Sequence, residues 1–243
     1  MGTLAQITVG YSSATMNVSD SRHNEGLTRP VRRLTALCGV VGPVILVVSF
    51  VINPAPPAEF TVTQLRAFAI RHHNGIVLGG WLQGIGSLLI VLFAIGLVHL
   101  AGATQRLAGW ITLLAGAIIL MVSLVEVTFY LGAVQATAAG DTASALASNN
   151  LIKAVQHVFL IAPALLLPLG FVLRGSDVLP RAFAYVALVL GVVLQTLGLF
   201  GLFDVLQPVI DVLLIVQSCW FVTAAVVLLS FGPHSEISAG SVS

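Results

Sequence analysis

Charged residues are scarce in this sequence: Asp, Glu, Lys and Arg make up 8% of its 243 residues, whereas hydrophobic residues make up 58%. An average soluble domain carries about 25% charged residues, so this chain cannot cover a water-exposed surface of ordinary polarity. The formal net charge of +1 argues against nucleic acid as a partner, because binding to nucleic acid requires a concentrated basic surface. The mean hydropathy of +1.04 therefore indicates an integral membrane protein whose first partner is the lipid bilayer.

The sequence also lacks the residue patterns of common catalytic and cofactor sites. Its two cysteines, Cys38 and Cys219, stand alone in apolar runs without a metal-binding or redox spacing. The HExxH motif, the P-loop and the dinucleotide-binding glycine pattern are absent. His72 and His73 are adjacent, so on a helix they point about 100° apart, which is a poor geometry for binding one metal ion. We therefore predict no metal, no cofactor and no nucleic-acid partner.

What the sequence does contain is a series of long apolar runs. A membrane-spanning helix needs about 20 mostly apolar residues. The runs are separated by turn-forming breaks such as Asn53–Pro57, Arg174–Asp177 and Gly232-Pro233. The pattern predicts an all-α, polytopic transmembrane bundle of six spans: Leu34–Ile52, Ile76–Leu100, Leu107–Leu131, Leu151–Leu173, Pro180–Phe203 and Pro208–Ser230.

Polar segments flank this six-helix domain, which covers residues 34–230. Residues 1–33 and 231–243 have no long apolar run and are rich in Ser and Gly, so both are predicted to be disordered cytoplasmic tails. An alternative for the first run is a cleaved signal peptide, because the basic stretch Arg29–Arg33 precedes it. The run is longer than a usual signal-peptide core, which favours a retained helix.

The distribution of Lys and Arg predicts the orientation of the bundle. Loops on the cytoplasmic side carry an excess of these residues. With the N-terminus in the cytoplasm, only Arg66, Arg71 and Lys153 lie outside, and the inner side holds Arg22, Arg29, Arg32, Arg33, Arg106, Arg174 and Arg181. We therefore expect both termini to face the cytoplasm.

The first external loop has a helix signature of its own. Thr61–Gln64 fits a capping box, in which the first and fourth residues satisfy each other's backbone donors. Asn74-Gly75 is a typical signal for a helix end. Apolar residues between these two points share one helical face. The loop therefore predicts a short interfacial helix on the outer membrane surface, separate from the second span.

Glycines and prolines indicate how the spans pack. In lipid, helices associate where small residues let backbones approach. The glycine stripe of the second span predicts close packing inside the bundle, and it leaves open a homo-oligomer through Gly80/Gly84 or through another glycine stripe. Pro163 and Pro168 predict a kinked or locally unwound fourth span, because proline removes a donor and clashes with the preceding turn. Transporters use such breaks at their sites.

Polar side chains within the spans gather on one side of the membrane. A charge at the centre of a span costs about 2.5–3.5 kcal/mol on insertion scales, so such residues mark functional sites by default. Counting from the span midpoints at about 1.5 Å per residue places most of these groups in the outer halves. They predict an outward-facing pocket with Glu126 and His157 at its base. The candidate ligand-binding residues are Glu126, His157, Lys153, Gln83, Asp211, Gln156 and Gln195.

The order of features from Thr61 to Leu229 resembles a family of proteins. Arg71–Gly75 leads into a glycine-rich span, and Glu126 lies late in the next one, followed by Phe129-Tyr130. Asn149-Asn150 precedes the proline-containing span, and Leu179–Ala184 opens the one after it. This order resembles a group of six-span actinobacterial integral membrane proteins of unknown function. The resemblance implies a multi-pass protein of the bacterial plasma membrane, and it implies no activity.

Three functional readings follow from these residues. The first is binding or transport of a small molecule or lipid through the outward pocket. The second is a non-catalytic structural or accessory subunit, in which Glu126 and His157 only make hydrogen bonds between helices and Lys153 reaches toward the interface. The third is a membrane enzyme acting on a lipid or envelope substrate, with Glu126 and His157 as its acid and base. The absence of a catalytic motif favours the first two.

Overall fold

The computed structural model describes residues 17–53, 62–159, 165–201 and 207–230. Within these ranges the side chains of residues 17–28, 62, 65, 156–159, 200–201 and 207–211 are not described. The described part consists of seven α-helices with no strand: α1 Asn17–Ile52, α2 Val62–Leu100, α3 Leu107–Ala138, α4 Thr142–Phe159, α5 Leu166–Arg174, α6 Arg181–Gly201 and α7 Gln207–Ser230.

Five of these helices contain a segment long and apolar enough to cross a membrane. Those segments are Arg29–Ile52, Arg66–Leu100, Leu107–Ala138, Arg181–Leu199 and Val212–Ser230. They match five of the six predicted spans and confirm a multi-pass helical membrane protein. Many large apolar side chains lie on their outer surfaces, as expected where lipid replaces water as the solvent.

The fourth predicted span is divided between two shorter helices. α4 ends at Phe159 and α5 begins at Leu166, and Pro163 lies between them, outside the described residues. Pro168 is the third residue of α5. In the first turn of a helix a backbone donor has no partner within the helix, so a proline there costs little. Pro168 therefore lies in the first turn of α5, and the predicted kink or local unwinding around Pro163 falls on residues that the structure does not describe.

Two predicted boundaries in the first third of the chain are wrong. α2 is continuous from Val62 to Leu100, so the separate interfacial helix does not exist. The helix does not end at Asn74-Gly75, because a glycine inside a helix costs only about 1 kcal/mol. Gly75 also packs closely against α1: a Cβ on it would lie 2.9 Å from the carbonyl oxygen of Ile52. Thr61, the predicted N-cap, lies outside the described residues. α1 begins at Asn17, so residues 17–33 of the predicted tail are helical, because extending a helix costs less than nucleating one.

Glycines allow α1, α2 and α3 to pack closely. A Cβ on Gly86 of α2 would lie 2.9 Å from the backbone nitrogen of Leu46 in α1, and a Cβ on Gly42 would lie 3.0 Å from the backbone nitrogen of Ile90. On another face of α2, Gly80 and Gly84 lie against Val127 and Leu124 of α3. The Gly80/Gly84 stripe, considered above for a homo-oligomer, is thus covered within the chain.

Two arginine contacts join helices at one end of the bundle. Nε of Arg32 donates a hydrogen bond to the carbonyl of Leu228 near the end of α7, at 2.6 Å. Nη1 of Arg106 donates to the carbonyl of Gly175, which follows α5, at 3.1 Å. The last carbonyls of a helix have no partner within it, so each arginine stabilises a helix C-terminus. We call this the Arg106 end, and the opposite end, where α3 meets α4, the Asp141 end.

A cluster of buried aromatic and leucine side chains lies toward the Arg106 end. Phe93 of α2 and Phe221 of α7 are fully buried and meet edge to face, with ring centroids 6.0 Å apart. Leu169 and Leu173 of α5 join the same cluster.

At the Asp141 end, Asp141 forms the N-cap of α4: its Oδ1 accepts a hydrogen bond from the backbone nitrogen of Ser144 at 3.1 Å. A short turn therefore joins α3 and α4.

Candidate functional site: a polar seam between α2 and α3

Two hydrogen bonds between side chains connect α2 and α3. Nε2 of Gln83 donates to Oε2 of Glu126 at 2.7 Å. One turn away, the hydroxyl oxygens of Ser87 and Ser123 are 2.9 Å apart. Residues three or four apart share a helical face, so each helix presents two polar side chains to the other. We call these four residues the polar seam.

All four residues of the polar seam are buried. The exposed fraction is 2% for Gln83, 5% for Ser87, 1% for Ser123 and 9% for Glu126. A buried polar group without a hydrogen bond loses its solvation without compensation, so the two contacts hold α2 and α3 in one register. Among the described residues, Glu126 makes this one side-chain hydrogen bond, through Oε2. Its second oxygen is left to accept a donor from elsewhere.

The local sequence explains why the polar seam forms. Gly80 and Gly84 lie on either side of Gln83 along α2. A Cβ on Gly80 would lie 3.1 Å from Cγ1 of Val127, so a bulkier residue would push α3 away. The absence of side chains at these glycines lets the amide of Gln83 reach the carboxyl of Glu126. The glycine pattern and the polar residues are therefore parts of one contact.

The structure brings together two of the seven predicted site residues, Gln83 and Glu126. Lys153 of α4 is exposed, and Gln195 of α6 is partly buried. The side chains of Gln156, His157 and Asp211 lie outside the described residues, so the predicted pairing of Glu126 with His157 stays a prediction.

Sequence reasoning missed one partner and one residue of the seam. Gln83 had been placed at nearly the same depth as Glu126, but the two were not paired. Ser87, one turn from Gln83, was not among the candidate ligand-binding residues. Both could have been found from helical spacing, because Gln83 and Ser87 lie four residues apart on one face of α2, and Ser123 and Glu126 lie three residues apart on one face of the antiparallel neighbour.

On α7, the burial of side chains along one helical face decreases toward the Asp141 end. On α7, Phe221, Ala224 and Leu228 are buried, whereas Leu214 and Gln217 on the same face are partly exposed. Oε1 of Gln217 is buried and has no hydrogen-bond donor in the described part of the chain. The part of this face nearer the Asp141 end therefore has partly exposed side chains and an acceptor without a donor among the described residues.

The depth of Gln217 matches that of the polar seam. Gly39 of α1 packs against Ala225 of α7, and about two helical turns closer to the Asp141 end these helices reach Val47 and Gln217. Gly42 of α1 packs against Gly86 of α2, and about one turn beyond this contact lies Gln83. The amides of Gln83 and Gln217 thus lie at similar depths.

Metal binding and similarity to known proteins contribute no assignment. Among the residues that the structure describes, no three His, Cys, Asp or Glu side chains form a group that could hold a metal ion. No protein-family model, no curated protein and no solved structure matches the chain. The membrane-embedded helices and the polar seam are therefore the basis for any functional conclusion.

Proposed function

We propose that this protein is a six-span protein of the bacterial plasma membrane that binds a small ligand, as a receptor or transport component, at Glu126. The observation that carries the proposal is the hydrogen bonding of the Glu126 carboxyl. Gln83 engages one of its oxygens at 2.7 Å, and the other has no hydrogen-bond partner among the described residues. An ionisable side chain inside a membrane helix is a functional candidate by default, because its burial is costly.

The contacts at the two ends of α3 support six crossings. Arg106, just before α3, binds the carbonyl of Gly175, just after α5. At the other end of α3, a short turn leads through Asp141 into α4. The chain from Thr142 to Arg174 therefore returns along the length of α3, and α4 and α5 together would form the fourth crossing. The exposed Arg29, Arg33, Arg106, Arg174 and Arg181 would then lie in the cytoplasm.

The chemistry of the polar seam suggests the class of ligand. A carboxyl oxygen accepts hydrogen bonds, and in its ionised form it attracts cations. The ligand would therefore present a positive charge or a hydrogen-bond donor to Glu126. Its approach would be from the Asp141 end, where the α7 face around Gln217 is incompletely covered. This end is the outer one in the proposed topology.

A second candidate function is supported by the same contacts. Ser87–Ser123 and Gln83–Glu126 both bridge α2 and α3, as hydrogen bonds that only stabilise helix association do. In this reading the protein is a structural or accessory subunit, and Glu126 serves as a neutral hydrogen-bonding group. Ligand binding requires the carboxyl group of Glu126 itself. The accessory role requires only a group at position 126 that accepts the hydrogen bond from Gln83.

Glu126→Gln separates the two functions. The new amide oxygen can still accept from Gln83, so α2 and α3 stay connected, but the carboxyl is lost. We expect native mass spectrometry of the protein in native lipid to show a bound small molecule in the parent and its loss in Glu126→Gln. The matched control is Ser123→Ala, which removes the other hydrogen bond of the seam and should keep the ligand.

The opposite outcomes are equally informative. A ligand retained in Glu126→Gln at the parental level would refute binding through the carboxyl. The result would instead support the accessory function if neither the parent nor Glu126→Gln carries a ligand, both have the same thermal stability, and a partner subunit copurifies with both. Both variants differ from the parent by groups of similar or smaller size, so misfolding does not confuse the comparison.

A further inference from the structure

Several arginines, far from the polar seam, lie near the end of α5 at the Arg106 end. Arg106 reaches from the start of α3 to the end of α5, where Nη1 donates to the Gly175 carbonyl at 3.1 Å. Arg174, the last residue of α5, is adjacent to Gly175 in the chain and is exposed. Arg181 begins α6 and is exposed as well. Arg106 contacts the end of α5, Arg174 is the last residue of α5, and Arg181 follows six residues after Gly175, with one exposed acidic residue, Asp177, in the loop between.

Exposed apolar side chains lie on the membrane side of these arginines. Leu107 is 76% exposed, and Trp110, one turn into α3, is 60% exposed. On α5, Phe171 lies about one turn before Arg174 and is 53% exposed. α3 and α5 pack against each other, so these side chains border one groove between the two helices. We call Arg106, Arg174, Trp110 and Phe171 the basic groove.

We propose that the basic groove binds an anionic phospholipid. Its phosphate would lie between Arg106 and Arg174, and its acyl chains would lie against Trp110 and Phe171. Arginine offers five N–H donors, and among the described residues Arg106 is shown using one of its nitrogens for a protein contact, which leaves others to bind phosphate oxygens. Basic sites between membrane helices bind lipid headgroups by this combination of charge and hydrogen bonding.

The apolar part of the groove identifies a lipid as the source of the phosphate. A free phosphate ion would use the guanidinium groups but would leave Trp110 and Phe171 without a role. Tryptophan side chains prefer the interface, where one end of the ring is in hydrocarbon and the other is near headgroups. A phospholipid matches both parts of the surface at once. The proposal is independent of Glu126 and of which leaflet the Arg106 end faces.

The test uses the full-length protein in nanodiscs that contain phosphatidylcholine with a minor fraction of phosphatidylglycerol. After release into the gas phase, native mass spectrometry counts the phosphatidylglycerol molecules that stay bound. We expect Arg174→Gln to reduce phosphatidylglycerol binding by about fivefold, because each basic residue near an anionic surface contributes roughly that factor. Arg174→Gln leaves the Arg106–Gly175 hydrogen bond in place, so the fold is not at risk.

Arg71→Gln is the matched control, because Arg71 is also exposed but lies near the opposite end of α2. It should bind phosphatidylglycerol as the parent does. Trp110→Ala should weaken retention of the phospholipid, and glycerol phosphate added alone should not protect the protein against heating. Equal loss in Arg71→Gln and Arg174→Gln would overturn the proposal in favour of a general charge effect. Protection by glycerol phosphate, or unchanged binding in Arg174→Gln, would overturn it too.

Discussion

The close contact between α1 and α2 depends on residues that have no side chain. Gly42 and Gly86 place the backbones of α1 and α2 against each other, and a Cβ at either position would meet backbone atoms about 3 Å away. Backbone atoms cannot rotate aside, so the helices themselves would have to move. Gly84, in the same helix, is different: a Cβ there would lie 3.4 Å from Cδ2 of Leu124, an ordinary contact with a side chain.

This difference predicts opposite effects of alanine at two glycines in α2. Gly86→Ala should lower the free energy of unfolding by about 1–3 kcal/mol, the usual cost of an overpacked contact. Gly84→Ala should leave it unchanged or raise it by up to about 1 kcal/mol, because alanine is the better helix former. Unfolding of each variant in mixed micelles measures both effects. Equal losses for the two variants would contradict the packing described here.

Much of the residue-level site was accessible from the sequence. Glu126 and Gln83 were both identified as candidates, because a polar side chain inside an apolar run is conspicuous. Their pairing was not identified, since depth along a helix does not reveal which face is turned to which neighbour. The packing of α2 on α3 decides that point, through contacts such as Gly80 against Val127.

Helix ends in this protein follow capping chemistry in some places and tertiary packing in others. Asp141 caps α4 by accepting hydrogen bonds from the backbone nitrogen of Ser144 at 3.1 Å and from its hydroxyl at 2.6 Å. Asn74-Gly75 carries an end signal that is overridden, because α2 continues to pack on α1 through Gly75. Local signals set a helix boundary only where no packing opposes them.

The cap at Asp141 makes the start of α4 sensitive to pH. The hydrogen bonds from Ser144 lower the pKa of Asp141 below its ordinary value of about 3.9. A lowered pKa in the folded state means that the ionised carboxylate stabilises the helix above the unfolded-state pKa. This contribution is lost as the pH falls through the folded-state pKa.

Asp141→Asn should keep the cap and remove its pH dependence, because asparagine is an equally good N-cap that does not ionise. Amide hydrogen exchange over residues 142–145, compared between variants at one pH, tests this. We expect the parent and Asp141→Asn to be equally protected at pH 6 and the parent to exchange faster at pH 3. Asp141→Ala should exchange faster at both. A parent that stays as protected as Asp141→Asn at pH 3 would contradict the role of the carboxylate.

At the scale of the whole molecule, hydrogen bonds from two arginines connect helices at one end of the bundle. Arg32 joins α1 to α7 across 196 positions of the chain, and Arg106 joins the start of α3 to the end of α5. Both bind carbonyls that a helix end leaves unpaired. Arginines, whose charge helps to orient membrane proteins, thus also connect helices of the bundle that are distant in sequence.

The six-crossing topology predicts which loops share a side of the membrane. In a background with Cys38→Ala and Cys219→Ala, single cysteines replace Thr104, Thr142 or Asp177. A membrane-impermeant maleimide added to intact cells should label the cysteine at position 142. The cysteines at positions 104 and 177 should react only after permeabilisation. Labelling at position 177 in intact cells would mean that α4 and α5 do not cross the bilayer together.

The sequence by itself determined that the protein is a membrane-embedded helical bundle, because a chain with 8% charged residues and several long apolar runs has no other favourable solvent than lipid. It also singled out Glu126 and Gln83 as costly polar groups within that bundle. Only the tertiary structure decided that these two bind each other, that α2 passes through Asn74-Gly75 without a break, and that α5 begins at Leu166. The preference for lipid over water follows from composition, which is evident from the sequence. Helix register and boundaries depend on contacts between segments that are distant in sequence.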